Sequence, residues 1–257
     1  NCAQSIKLIK QALEMANERG LENIQSKCYF LLGNVQIDLG DNGKALKSFL
    51  KAKEIAMKML NAKPDFMSFE TVFSCTSMII ETLSKDNIYS EAEKYIPELL
   101  GMLEKAKTIK DLNEHYIDRV KWNAYAECFT LYNLMGKTEE AEKYRQLSED
   151  TRSAKLPYLR EKYTTYYILK KDYKQALENI DITRQFFVEN RDTLCIDYKD
   201  AVLNHEFNVY KGMGNYAMAT KVAEKINACR DSIDKKTKEE NAAELAKIYE
   251  TQEKEKQ

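Results

Sequence analysis

The chain has little of what punctuates or cross-links a fold. Only 8 glycines and 3 prolines occur among 257 residues, too few for the many turns of an all-β chain. It lacks an excess of either charge, with 40 basic and 41 acidic side chains. Phosphate binding wants a clear basic surplus, so nucleic acid is not expected as the main partner. No apolar run approaches the ~20 residues of a membrane-spanning helix. Six cysteines, Cys2, Cys28, Cys75, Cys128, Cys195 and Cys229, stand far apart with no CxxC pair. That spacing offers no zinc or redox motif and suits small apolar packing residues, although an even count would permit disulfides in an oxidising compartment. The phosphate-loop, dinucleotide, zinc-protease and nucleophile-elbow motifs are all missing. The two histidines, His115 and His205, sit near no Cys or carboxylate at a catalytic spacing. The expectation is a non-enzymatic chain without cofactor or metal.

Charged residues make up 32% of the chain and are interspersed, as on solvated helix faces. Leu, Ala, Lys and Glu dominate the periodic stretches, which favours helix. The clearest unit is 33–56. A helical run through Gly33 reaches a turn at Gly40-Asp41-Asn42, and Ala45, Phe49, Ala52 and Ala56 share one face of the next run. Small residues at Gly33, Ala45 and Ala52 would let two antiparallel helices pack closely around Phe49. The unit recurs. The alanine that opens the second arm falls at Ala45, Ala92, Ala141, Ala176 and Ala219, with spacings of 47, 49, 35 and 43 residues. This predicts hairpins over 22–60, 66–107, 111–153, 156–189 and from 197 onward, preceded by a helix over 2–18 that reads as the second half of a hairpin. Pro97 should kink or restart the second arm of its hairpin. The fold class expected is all-α, an α-α superhelix or solenoid of antiparallel helix hairpins.

After Ile226 the character changes. Residues 231–257 contain no Gly or Pro and are mostly charged. Asp231 with Lys235, Asp234 with Lys238 and Glu250 with Lys254 are acidic-to-basic pairs four residues apart, a spacing that supports helix. The expected organisation is a helical repeat domain over 1–230 and a long charged C-terminal helix or linker over 231–257. The opening residues already read as mid-repeat helix and do not begin with Met. A piece of a longer protein is therefore expected, for which missing targeting signals say little about location.

At this point the chain resembles the tetratricopeptide repeat family. The repeat starting at Ser26 carries Tyr29, Leu32, Gly33, Ala45, Phe49 and Ala52 at the motif positions. Later copies match at Tyr167, Tyr173 and Ala176, and at Tyr210, Gly214, Tyr216 and Ala219. The second and third depart from it, with Ile80 and Phe129 where a small residue is usual and Ile96 and Arg145 where an aromatic is. The resemblance implies a concave groove lined by the first arms that binds a protein or peptide. Carried over position by position, the candidate groove residues are Lys27, Phe30, Asn34, Asn123, Asn133, Asn204, Asn208 and Lys211. Ser77, Glu81, Thr130, Tyr158 and Thr165 hold further such positions. Phe30 stands where the carboxylate clamp of chaperone-binding members needs Lys, which argues against chaperone C-terminal peptides as ligand. The charged end is similar to the segment that follows such repeats in certain bacterial membrane-anchored regulators and sensor kinases. That likeness implies a sensing region, favoured as periplasmic with a cytoplasmic alternative, a membrane anchor outside this stretch and a possible homodimer. A constitutive interaction scaffold is the alternative.

Overall fold

A computed structural model describes residues 2–110, 112–190 and 193–256, and the side chains of all of these except 2–3, 240–241 and 244–256. The fold is all-α, and among the described residues no strand occurs. The chain divides into two compact units, Asn1–Lys155 and Leu156–Gln257.

The first unit holds α1 (Cys2–Glu18), α2 (Glu22–Asp38), α3 (Asn42–Ala62), α4 (Phe66–Lys85), α5 (Tyr89–Glu93), α6 (Ile96–Ala106), α7 (Glu114–Leu134) and α8 (Thr138–Glu149). A 3-10 turn over Arg152–Lys155 ends it. In the second unit a 3-10 turn over Pro157–Leu159 precedes α9 (Glu161–Leu169) and α10 (Tyr173–Glu189). Then α11 (Ile196–Tyr198), a π-helical stretch over Lys199–Asn204 and α12 (His205–Gly212) run without a break, and α13 (Tyr216–Lys256) follows.

One turn geometry recurs in both units. Gly20, Gly40, Asn87, Gly136, Lys171 and Gly214 all have φ between 59° and 74°. After each, the next amide donates back to a carbonyl of the preceding arm. Leu21 reaches Ala16, Asp41 Gln36, Ile88 Leu83, Lys137 Tyr132, Asp172 Tyr167 and Asn215 Tyr210, at 2.8 or 2.9 Å. This is the Schellman arrangement, which satisfies carbonyls that a helix end leaves open. Glycine is the usual occupant of the left-handed position; Asn87 tolerates it, and Lys171 holds it against steric cost. In five of these turns the amide of the opening alanine then donates to the residue that has just crossed over: Ala45 to Asp41, Ala92 to Ile88, Ala141 to Lys137, Ala176 to Asp172 and Ala219 to Asn215. All five alanines are at most 3% exposed. The alanine register read from the sequence is therefore the register of hairpin closure.

Packing in the first unit centres on Phe49, Leu60, Phe69, Ile79, Leu99 and Leu131, all essentially without exposed surface. A Cβ at Gly33 would lie 2.5 Å from the Phe49 ring, so α2 and α3 can approach this closely only because position 33 is bare. Successive hairpins are joined at near-constant sequence separation. Asn42 donates to Asp86 at 2.6 Å, Lys53 to Glu98 at 2.7 Å, Lys105 to Asn61 at 3.1 Å and Lys137 to Glu93 at 2.6 Å. Lys53 also lies 4.5 Å from the centre of the Tyr95 ring.

Several boundaries differ from the sequence expectation, for local reasons. The arm over 89–107 is two helices, α5 and α6, with Pro97 in the first turn of α6; there its missing N–H costs nothing. The arm expected over 138–153 ends at Glu149. Its continuation is a 3-10 turn because Asp118 of α7 accepts from the Arg152 and Ser153 amides and from the Ser153 hydroxyl, at 3.1, 2.8 and 2.7 Å. The arm expected from 156 starts late, since Pro157 lacks a donor and holds Leu156 extended. In the arm expected over 197–211 the middle is π-helical rather than α-helical. Residues 231–256, expected as a projecting helix, continue α13 unbroken.

The second unit packs Ala176, Ile180, Phe187, Val202 and Val209 together, and seats the start of α13 through Val222 and Cys229 against Leu203. A Cβ at Gly212 would lie 2.5 Å from the Tyr173 hydroxyl. Position 212 thus does for α10 and α12 what Gly33 does for α2 and α3.

Two outcomes are expected. Gly33→Ala forces the Phe49 ring to move and lowers stability by ~1–3 kcal/mol in urea unfolding. Combining it with Phe49→Leu costs less than the sum of the two single changes, as expected for neighbours in contact. Burial works to raise the Asp118 pKa, but the bonds from Ser153 and Arg152 outweigh it and hold the carboxyl below its ordinary value. A lowered folded pKa means stability that is present above the unfolded value, roughly pH 4, and is lost as pH falls through the folded one. Asp118→Asn therefore destabilises the chain at neutral pH, by on the order of 1 kcal/mol for so solvent-accessible a group. The difference from wild type should vanish in acid melts.

Candidate functional site

The residues singled out from the sequence fall in both units. Lys27, Phe30 and Asn34 lie on α2, and Asn123 and Asn133 on α7. In the second unit Asn204 ends the π-helical stretch, and Asn208 and Lys211 lie on α12. Each sits on a first arm, as expected.

Their surroundings differ. Phe30 is half-buried with its ring 5.8 Å from that of Phe49, so it belongs at least as much to the core as to a surface. Asn204 donates to the Asp200 carboxylate at 2.7 Å. Asn34 and Asn123 are half-buried, while Lys27, Asn208 and Lys211 are exposed. Among the described residues none of these last five side chains makes a hydrogen bond or ion pair. Among the described residues the shielded hydroxyl oxygens of Ser77 on α4 and Thr130 on α7 also find no hydrogen-bond partner. Both stand at positions assigned to the groove face.

Lys27 stands at a cavity of about 250 Å³. Asn23 and Ile24 of α2, Met59 of α3, and Met67 and Thr71 of α4 line it, with Ser26 and Ser68 buried beneath. In the second unit a separate cavity of about 300 Å³ lies against α13, between Lys225, Cys229 and Ser232 on one side and Thr193, Tyr198 and Leu203 on the other.

The second unit also carries a polar network that sequence reasoning missed. Arg160 donates to Asn179 at 2.6 Å, and the Asn179 amide donates to the Gln175 carbonyl at 2.7 Å. Arg184 of α10 is held by Asp181 and by Glu206 of α12, whose Oε2 lies 2.9 Å from Nη2. That oxygen forms no aligned hydrogen bond, so charge rather than geometry holds the contact. Burial works against the Arg184 charge, but Glu206, Asp181 and Tyr198 outweigh it and keep the guanidinium above its ordinary value. His205 lies 3.0 Å from the Thr165 hydroxyl through Nε2 and 2.9 Å from the Asp200 carbonyl through Nδ1. The carbonyl can only accept, so Nδ1 carries a proton. Thr165, a groove position in the sequence reading, is thereby tied to α12. Nothing in the local sequence reveals the contacts Arg160–Asn179, Arg184–Glu206 and Thr165–His205, because each joins residues distant in the chain.

The buried thiols are poorly suited to chemistry. Burial pushes Cys75 up to about 12 and raises Cys128 further. Cys28, Cys75, Cys128 and Cys229 are free and buried, as packing residues would be. Among the described residues no group of His, Cys, Asp and Glu is arranged to hold a metal ion, and no helix is long and apolar enough to cross a membrane.

No protein-family model matches this chain, and no curated protein matches it. Among solved structures it is similar to the crystal structure of BtubC (BKLC) from P. vanneervenii. The TM-score is 0.57 at 15% sequence identity, over 91% of this chain and 92% of that one. At that identity the likeness is one of fold, a helical one.

The geometry separates structural from available side chains, and melting experiments should show the same division. Glu206→Ala leaves Arg184 partly buried beside one fewer carboxylate and should cost on the order of 2 kcal/mol. Lys27→Ala, Asn208→Ala and Lys211→Ala should each stay within about 0.5 kcal/mol of wild type.

Proposed function

We propose that this chain is a non-catalytic binding module of helical repeats, of the tetratricopeptide kind that its alanine register resembles. The observation that carries the reading is the division of labour on the first arms. Gly33, Phe69, Phe129 and Tyr163 of the first arms are enclosed in packing, while Asn34, Asn123, Asn208, Lys27 and Lys211 are left without partners among the described residues. An amide side chain offers a donor and an acceptor together, which suits the backbone of an extended peptide. Each unit offers such residues of its own. The non-catalytic part of the proposal is supported by thiols that stay protonated at neutral pH and by a His205 ring engaged at both nitrogens.

In this proposal the module is the sensing region of a bacterial signal-transduction or transcriptional regulator, and α13 is its output. Support comes from the root of α13, where Val222 and Cys229 are packed with Leu203, and Ile226 and Ile233 lie against the same cluster. A ligand that shifts α12 or the π-helical stretch would act on that seat. A constitutive scaffold is the alternative, with the same binding face and a passive α13.

The test is selection of randomised displayed peptides on the intact chain, followed by hydrogen exchange with the best binder. Enriched peptides that bind more weakly to Asn204→Ala with Asn208→Ala, and that change exchange in α13, support the sensor. Peptides that bind without altering α13 favour the scaffold. A selection with no enrichment would remove the binding reading altogether.

A further inference from the structure

Resting on the peptide-binding reading above, we propose that the cavity at the beginnings of α2 and α4 takes one apolar side chain of a bound peptide, and that Lys27 pairs with an acidic residue beside it. Three apolar side chains from three helices form the cavity: Ile24, Met59 and Met67. Ile24 is 39% and Met67 46% exposed. Depth comes from two small residues, Ser26 and Ser68, which are 3% and 2% exposed. A larger side chain at either position would fill the hollow.

The chemistry of the lining selects the occupant. The Ser26 hydroxyl donates to the Asn23 carbonyl at 3.1 Å, that of Ser68 to the Asp65 carbonyl at 3.2 Å, and that of Thr71 to the Met67 carbonyl at 2.8 Å. These protons are spent within the protein, so the floor offers contact rather than donors. Among the described residues the rim carries one charge, the exposed ammonium of Lys27, and no carboxylate lines the cavity. Lys27 has no ion-pair partner among the described residues. A volume of about 250 Å³ falls below the ~300–1,000 Å³ of pockets for drug-sized ligands, and suits a single Leu-, Met- or Phe-sized group. Methionine walls adapt to any of these, since the unbranched thioether repacks readily. The predicted recognition element is therefore a large apolar residue next to Asp or Glu in an extended segment.

The experiment uses displayed random peptides selected on the intact chain, with the winning synthetic peptides titrated against wild type, Met67→Lys and Lys27→Glu. Both positions are exposed, and unchanged melting temperatures would verify that the variants fold. The expected result is enrichment of an apolar residue flanked by Asp or Glu, with binding at least tenfold weaker in Met67→Lys. Reselection on Lys27→Glu should exchange the flanking acid for Lys or Arg. Carbon-13 methyl signals of Met59 and Met67 should move on titration, ahead of those of other methionines. Peptides that bind both variants as tightly as wild type, yet lose affinity in Asn204→Ala with Asn208→Ala, overturn the cavity assignment and leave the broader binding reading standing. Failure to select any peptide overturns both.

Discussion

Everything in this molecule depends on how a hairpin is closed. A residue forced into the left-handed region ends one helix, and five residues later an alanine with almost no exposed surface begins the packing of the next. The two events are coupled through hydrogen bonds. The turn uses up the last carbonyls of the first arm, and the carbonyl of the crossing residue receives the alanine amide. A methyl group at that point lets the second helix approach before its larger side chains engage. Because the geometry is local, it can be repeated along a chain whose arms vary in length. The core of each hairpin then adapts around it, with Phe49 in one, Ile96 with Leu99 in another and Ile180 in a third.

That local character explains what could be read in advance. Ala45, Ala92, Ala141, Ala176 and Ala219 carried their own register, and Gly33 opposite Phe49 announced a close approach. The features that escaped are of two kinds. Some depend on backbone detail that periodicity averages over. The early end of α8, the late start of α9 and the π-helical stretch each shift a boundary by a few residues while leaving the apolar pattern intact. Others join residues distant in sequence. Gly212 under Tyr173, Arg184 beside Glu206 and Asp118 over the amides of Arg152 and Ser153 are invisible until the helices are side by side. The candidate binding residues were legible only as positions on first arms. Whether an asparagine there stands free, as Asn34 does, or is tied up, as Asn204 is with Asp200, needed coordinates. The hollow between Ile24, Met59 and Met67 had no signal at all, since its depth comes from two unremarkable serines on different helices.

The division between structural and available groups has an electrostatic side as well. In the first unit two ion pairs, Lys53–Glu98 and Lys137–Glu93, and two hydrogen bonds, Asn42–Asp86 and Lys105–Asn61, join successive hairpins at sequence separations of 44 and 45 residues. These links are single and partly solvated, so each contributes little stability. Their regularity instead fixes how one hairpin sits on the next. In the second unit the Arg184–Glu206 pair ties α10 to α12, and the Thr165–His205 contact ties α9 to α12.

The π-helical stretch over Lys199–Asn204 has a consequence for how this surface could have arisen. A widened turn absorbs one extra residue without breaking a helix, and it rotates everything downstream by about 100°. Residues after it, Asn208 and Lys211 among them, are aimed by that single insertion. The Schellman turn at Gly214 and the buried Ala219 keep their local spacing regardless. Evolution can thus redirect one stretch of recognition surface by adding a residue inside an arm, with no new loop and no change in the rule by which the next hairpin closes.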